Sequence, residues 1–87
     1  KEGADDIVIL SPNPAKYYTD LLYKTNDDIA LTLKVLDNYG QVILVKQLNQ
    51  NQNTDRINTS LFPNGCYQIE LFSGERKVSC QKLIILK

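Results

Sequence analysis

The residues of this sequence that could do chemistry are two cysteines and two pairs of adjacent aspartates. Cys66 and Cys80 could form a disulfide, and the pairs Asp5-Asp6 and Asp27-Asp28 could supply oxygen ligands to calcium. Neither pair has the D-x-D-x-D spacing that directs several carboxylates at one ion, so we interpret both as solvated loop residues. We therefore expect no metal site and no bound cofactor.

The sequence contains no histidine. A Ser-His-Asp or Cys-His catalytic arrangement is impossible without one, and a structural zinc site would be short of its usual ligands. No glycine-rich phosphate loop occurs. Acid–base catalysis by paired carboxylates would need an enclosing cleft, which a chain of 87 residues can scarcely build. We expect no catalytic residues and no enzymatic activity.

Composition indicates one small globular domain. The formal net charge is zero and 43% of the residues are hydrophobic. The sequence lacks the stripe of lysine and arginine that would indicate nucleic-acid binding. No apolar run in it approaches the ~20 residues of a membrane span. A signal peptide is not recognisable. We interpret residues 1–6 as the remnant of a linker and residues 7–87 as the domain.

Seven short segments are rich in β-forming residues and are separated by turn residues. In the third segment, Ile29, Leu31, Leu33 and Val35 alternate with residues of the opposite face, which is the period of a half-buried strand. The loop Asp37–Gly40 after it predicts a hairpin, because glycine supplies a positive φ. We predict an all-β fold, an immunoglobulin-like antiparallel β-sandwich of about seven strands. The segments are Ile7–Leu10, Tyr17–Tyr23, Ile29–Leu36, Gln41–Leu48, Thr54–Leu61, Cys66–Phe72 and Lys77–Leu86.

The stretch SPNPAK, Ser11–Lys16, predicts a stiff corner after the first strand. Pro12 and Pro14 fix φ near −65° and have no N–H, and each restricts the residue before it to extended geometry. We expect the first strand to end at Leu10 and the corner to cross from one sheet to the other.

The stretch FPNGCY, Phe62–Tyr67, predicts a tight crossing between the sheets. Pro63 and Gly65 would shape the crossing, and the Tyr67 hydroxyl could return to a backbone group upstream. That arrangement is the tyrosine corner of Greek-key sandwiches. A simple buried aromatic residue is the alternative.

The two cysteines lie on the last two strands. A turn at Gly74-Glu75 places Cys80 opposite Ile69 and Cys66 opposite Leu83, on opposite faces of the hairpin. A disulfide needs Cα atoms within about 7 Å, so we predict two free thiols, with Cys80 facing the core.

The same register leaves the last strand out of phase. If Val78 and Cys80 face the core, strict alternation places Lys82 there too, although the apolar residues are Leu83–Leu86. A β-bulge near Gln81-Lys82 would restore the phase, or the strand would pair elsewhere. In either case the last strand is apolar on both faces and ends at Lys87.

Four stretches in this order resemble a known family. They are SPNPAK, the hairpin LTLKVLDNYGQVILVKQL, the corner FPNGCYQIEL and the closing KLIILK. Together, from about Leu10 to Lys87, they resemble the type A C-terminal sorting domain of the type IX secretion system (Por secretion system) of Bacteroidota. Two positions depart from the family pattern: Cys66 lies between the glycine and the tyrosine of the corner, and Phe62 begins it.

The resemblance implies a set of signal residues. The family motifs fall on Pro12, Asn13, Pro14, Ala15, Gly40, Gly65, Tyr67, Lys82, Leu83, Ile84, Ile85 and Lys87. We expect KLIILK to be the main recognition element, either as an exposed strand edge or as a displaceable segment that a partner takes up by β-augmentation. We expect the SPNPAK corner to set the fold rather than to be recognised.

The resemblance also implies a function. Such domains end larger secreted proteins, fold in the periplasm and are recognised by an outer-membrane translocon. A sortase-like protease usually removes them and anchors the cargo at the cell surface. The expected partners are thus the type IX translocon, the sortase-like protease and an N-terminal cargo domain, and the expected location is the periplasm in transit and then the outer-membrane surface or the medium.

A second hypothesis is an immunoglobulin-like accessory domain that binds glycan or protein in a cell-surface enzyme, because sandwich folds host many functions. Tyr17, Tyr18, Tyr23 and Tyr39 could supply its aromatic platform. A third hypothesis is a passive structural spacer.

Overall fold

The computed structural model describes residues 7–24, 30–48 and 53–87. Within these residues the chain forms seven strands and no helix, which confirms the all-β prediction. The strands are β1 (Ile7–Ser11), β2 (Tyr18–Lys24), β3 (Leu31–Leu36), β4 (Val42–Gln47), β5 (Thr54–Asn58), β6 (Gly65–Ser73) and β7 (Arg76–Ile85). The predicted linker 1–6, both aspartate pairs and Ile29 lie outside the described residues.

The strands form two antiparallel sheets that pack face to face. One sheet has the order β1-β2-β5 and the other has the order β4-β3-β6-β7. The chain changes sheet between β2 and β3, between β4 and β5, and between β5 and β6. This is the predicted immunoglobulin-like sandwich.

The core lies between the sheets and follows the alternation in the sequence. Leu31, Leu33 and Val35 of β3 are buried, as are Ile69 and Leu71 of β6. Burial of one such side chain stabilises the fold by about 1.5–3 kcal/mol relative to leaving it exposed. The paired inner faces of β3 and β6 therefore supply much of the stability. The other buried apolar residues are Ala15, Leu21, Tyr23, Leu48, Ile57, Tyr67, Leu83 and Ile85.

The β3–β4 hairpin forms where it was predicted, and its loop spans residues 37–41. Gly40 has a φ of 81°, the left-handed conformation that glycine adopts without a steric penalty. The Asp37 carboxylate accepts hydrogen bonds of 2.9 Å from the backbone N–H groups of Tyr39 and Gln41. These bonds close the loop and fix its orientation.

The SPNPAK corner does not change sheet, so that prediction was wrong. Strand β1 continues to Ser11, and β1 and β2 are antiparallel neighbours in the three-stranded sheet, with Ser11 opposite Asp20. The corner instead reaches sideways, where Ala15 forms a parallel bridge with Ile85 of the other sheet. The corner therefore connects the two sheets by hydrogen bonds while the chain stays in one of them.

The β6–β7 hairpin contains the expected irregularity, but at a different place. Ser73 pairs with Arg76, and the register then shifts between Leu71 and Phe72 so that Leu71 pairs with Ser79. The extra residue is Val78, not a residue near Gln81-Lys82. Every later residue of β7 is thereby turned to the face opposite the predicted one, which brings Leu83 and Ile85 into the core.

This earlier bulge also corrects the positions of the cysteines. Both thiols are free, as predicted, but both are exposed, so Cys80 does not face the core. Cys80 lies opposite Glu70 and Cys66 lies opposite Ile84. The two cysteines therefore share the outer face of the four-stranded sheet rather than opposite faces.

Candidate recognition site

The end of β7 and the residues after it differ in exposure from one position to the next. We call Leu83–Lys87 the closing segment. Leu83 and Ile85 are fully buried, whereas Ile84 is 37% and Leu86 59% exposed. The closing segment is therefore anchored through one face and presents apolar side chains on the other, as the sequence predicted.

The SPNPAK corner covers the outer edge of the closing segment. The Asn13 side chain donates from Nδ2 to the Lys82 carbonyl at 2.8 Å and accepts at Oδ1 from the Ile84 N–H at 3.0 Å. Ala15 donates its N–H to the Ile84 carbonyl at 2.7 Å and accepts from the Leu86 N–H at 2.8 Å. Ala15 is fully buried. Asn13 and Ala15 thus act as a short additional strand along β7.

Two buried threonines donate hydrogen bonds to backbone carbonyls of this corner. Thr19 of β2 is fully buried, and its hydroxyl donates to the Pro12 carbonyl at 2.8 Å. Thr59 is also fully buried, and its hydroxyl donates to the Lys16 carbonyl at 3.2 Å. Both hydroxyls satisfy carbonyls that the corner leaves without a ladder partner.

The FPNGCY stretch forms the predicted tyrosine corner. The Tyr67 hydroxyl donates to the Pro63 carbonyl, four residues upstream. The Tyr67 ring stacks on Phe62 with centroids 5.7 Å apart. Burial raises the pKa of Tyr67, and the negative charge of Asp37 adds to that increase. The hydroxyl therefore keeps its proton, and with it the hydrogen bond, throughout the neutral range.

The same corner also binds the last residue of the closing segment. The Lys87 ammonium donates to the carbonyls of Ser60 at 2.6 Å and Phe62 at 2.8 Å. The backbone N–H of Lys87 donates to Asn64 Oδ1 at 3.0 Å. The corner thus provides carbonyl acceptors for a cation and an amide acceptor for the main chain.

All twelve positions inferred from the resemblance lie at one end of the sandwich, which we call the motif end. Ala15 and Gly65 both pair with Ile85, which places the two corners beside the closing segment. Gly40 belongs to the β3–β4 loop, which borders an open groove together with Tyr67 and Lys82. A larger groove beside it, of about 520 Å³, is lined by the same loop and by the corner from Pro63 to Tyr67.

Sequence reasoning missed Asn64, Ser60 and the two threonines. Asn64 had a detectable signal, because the dipeptide Pro-Asn occurs at Pro12-Asn13 and again at Pro63-Asn64. Both asparagines contact the closing segment. No local signal marked Thr19, which lies inside a strand pattern and whose partner is set by the tertiary fold.

The four tyrosines considered for a binding platform do not form one. Tyr23 is buried in the core, and Tyr39 lies on the loop of the four-stranded sheet. Tyr17 and Tyr18 are exposed at the three-stranded sheet. The guanidinium of Arg56 lies 3.9 Å from the centre of the Tyr18 ring.

Arg56 also pairs with a carboxylate on the same outer face. It donates through Nε and Nη2 to the two oxygens of Asp20, at 2.7 Å and 3.0 Å. These hydrogen bonds hold the pKa of Asp20 below its usual value. The Arg56 donors are thus already engaged within the sheet, which favours a packing role for Tyr18 over ligand binding.

The fold and the motif end together define a class: a small immunoglobulin-like sandwich whose motifs gather around its last strand. The sequence matches the family described as the secretion system C-terminal sorting domain over residues 10–86. The chain belongs to this family, and it is a sorting domain of type IX secretion. No curated protein matches the chain. No helix in the described part of the chain is long and apolar enough to cross a membrane.

Proposed function

We propose that residues 7–87 direct a larger cargo protein, joined before residue 7, through the type IX translocon to the outer membrane and the cell surface. The domain contributes no catalysis of its own and acts as a folded signal. The observation that carries the proposal is the convergence of both corners on the closing segment. Membership of the sorting-domain family supports the same direction of transport.

The closing segment is the main recognition element in this proposal. Ile84 and Leu86 present apolar side chains at the motif end, and Lys82 is exposed beside them. Exposed apolar residues next to a charged side chain are typical of a surface that a partner protein covers. The translocon is the proposed partner there.

The later fate of the domain follows from the same assignment. A sortase-like protease would cleave in the linker before the domain and join the cargo to the surface, after passage of the folded domain through the periplasm. The first motif residue, Pro12, follows β1, so a cut before residue 7 would leave every motif residue within the released domain.

A secretion assay tests the proposal. Residues 1–87 are fused behind a reporter that carries its own export signal, in a host with a working type IX system. The intact fusion should reach the medium or the surface, and deletion of Leu83–Lys87 should retain the reporter in the periplasm. The same fusion in a host without the translocon is the control. Equal secretion with and without the closing segment would contradict the proposal.

A further inference from the structure

The closing segment is held by two asparagines that come from two separate Pro-Asn turns. Asn13 precedes the segment by about seventy positions and accepts from the Ile84 N–H at 3.0 Å, while Asn64 accepts from the Lys87 N–H at 3.0 Å. An asparagine side chain has the same donor and acceptor groups as a peptide unit, so it can replace a neighbouring strand. We call these two side chains the asparagine clamp.

The clamp leaves no open strand edge at the centre of the segment. Both polar backbone groups of Ile84 are engaged, the N–H by Asn13 and the carbonyl by the Ala15 N–H. A partner that adds a strand along β7 would need these same two groups. Recognition by β-augmentation at Ile84 is therefore blocked while the clamp is closed.

Release of the segment as a peptide would also expose the core. Leu83 and Ile85 are fully buried, and their strand pairs with β6 along its length to Gly65. A small domain has little stability to spare for such an opening. The side chains that a partner can contact without any opening include those of Ile84, Leu86 and Lys82.

We infer that Asn13 and Asn64 are positioning residues of the sorting signal, and that the translocon recognises the closing segment in place, as part of the folded domain, rather than as a freed peptide. This inference rests on the proposed function. It assigns to the clamp the task of presenting Ile84 and Leu86 in one fixed arrangement.

A covalent lock separates recognition in place from recognition after release. Cys66 lies opposite Ile84 across β6 and β7, and both polar backbone groups of Ile84 point away from β6. The two residues therefore form a non-hydrogen-bonded pair, whose Cα atoms are about 4.5 Å apart. That spacing lies within the range for a disulfide. The substitution Ile84→Cys should thus allow native Cys66 to bond the closing segment to β6.

The lock is built in a Cys80→Ser background, which removes the other thiol of the same face. Its matched control adds Cys66→Ser and keeps Ile84→Cys, so that it carries the same change in the segment without the bond. Oxidation of the two thiols to the disulfide lowers the mass by two hydrogen atoms, which mass spectrometry detects. We expect the locked and control fusions to be secreted equally. Retention of the locked fusion in the periplasm, with normal secretion of the control, would overturn the inference.

If both fusions are retained in the periplasm, substitutions of the clamp residues test the inference instead. At equal amounts of folded protein, Asn64→Ala removes one hydrogen bond and should lower secretion by about fivefold, the factor that corresponds to the net free energy of one such bond. Asn13→Ala removes two hydrogen bonds and should lower secretion by at least about fivefold. Asn64→Asp keeps the acceptor for the Lys87 N–H and should restore secretion. Asn53→Ala, at an exposed asparagine just before β5 and away from the motif residues, is the matched control. Unchanged or increased secretion of the alanine variants would contradict recognition in place.

These outcomes differ from a failure of the proposed function. If the unmodified fusion is not secreted, or if it is secreted without the closing segment, the domain is not the signal proposed. If the segment is required and the locked domain alone is retained, the signal stands and only recognition in place is wrong.

Discussion

The two Pro-Asn turns of this domain begin alike and end differently. Pro12-Asn13 is followed by a second proline, and Ala15 after it forms a parallel bridge with Ile85. Pro63-Asn64 is followed by Gly65, which starts β6 opposite Ile85. One turn covers the outer edge of the closing segment and the other starts the strand on its inner edge. The two turns therefore lie on opposite sides of β7.

The turns also differ in how they hold the segment. The first makes three hydrogen bonds with it, through Asn13 and Ala15, and a fourth with the Lys82 carbonyl just before it. The second makes one bond through Asn64 and provides two carbonyls to the Lys87 ammonium. We therefore expect the first turn to control the middle of the segment and the second turn to control its last residue.

The largest loss of stability should come from shortening a buried side chain of the closing segment, which both turns hold. Leu83→Ala leaves a cavity in the core and should lower the free energy of unfolding by about 2–5 kcal/mol. Denaturant unfolding measures the change. Leu86→Ala removes a side chain of the same segment that is 59% exposed, and should change stability by no more than about 0.5 kcal/mol. Equal losses in the two variants would show that the inner face does not anchor the segment.

The next effect should be confined to the second turn. Tyr67→Phe removes the hydrogen bond to the Pro63 carbonyl and should cost about 1–3 kcal/mol. Relative to the unmodified domain, the rate of hydrogen exchange should increase more at the Lys87 N–H than at the Ile84 N–H. Tyr39→Phe, at a residue that is 91% exposed, is the control and should be neutral. A uniform increase in exchange along the segment would contradict the separation of the two turns.

The clamp residues themselves should have smaller and unequal effects. Asn13→Ala removes two hydrogen bonds and should cost about 1–2 kcal/mol, whereas Asn64→Ala removes one and should cost about 0.5–1.5 kcal/mol. Exchange at the Ile84 N–H should rise only in the first variant, and at the Lys87 N–H only in the second. If either variant affected both N–H groups equally, the two turns would act as one unit.

The smallest effect should be a dependence on alkaline pH that belongs to the second turn. The pKa of Tyr67 is raised in the folded domain, mainly by burial. The stability that the neutral hydroxyl contributes is therefore complete below about pH 10, the unfolded value, and is lost as the pH rises through the higher folded pKa. Melting temperatures measured between pH 8 and pH 11 should fall less steeply in Tyr67→Phe. Burial raises the pKa of Tyr23 as well, so part of the fall should remain.

The sequence allowed prediction of the strands and the class of fold, because strand period and turn residues are local properties. The alternation of Leu31, Leu33 and Val35 is visible in the printed chain, and so is the Pro-Asn-Gly corner before Tyr67. The family motifs also located the candidate residues, which the fold brings to one end.

Three features could not be predicted, because each depends on contacts that the tertiary fold makes rather than on the local sequence pattern. The bulge at Val78 is set by which residues of β7 fit the core opposite β6. The burial of Thr19 depends on a carbonyl seven residues upstream that needs a donor. The side-chain bonds of Asn13 reach Lys82 and Ile84 at the other end of the chain. A period of two residues contains none of this information.

The positions of Ile7 and of the closing segment have a mechanical consequence. Strand β1 starts at Ile7, opposite Lys24 and away from the motif end, and it runs toward the corner where Ala15 bridges Ile85 of β7 in parallel. A force applied between a cargo before Ile7 and a partner at the closing segment would act along the strands. The ladder bonds are perpendicular to that direction, so the force would load them together in shear instead of opening them one at a time. We expect the folded domain to resist unfolding under such a force and to pass the force on to its cargo with little extension of its own.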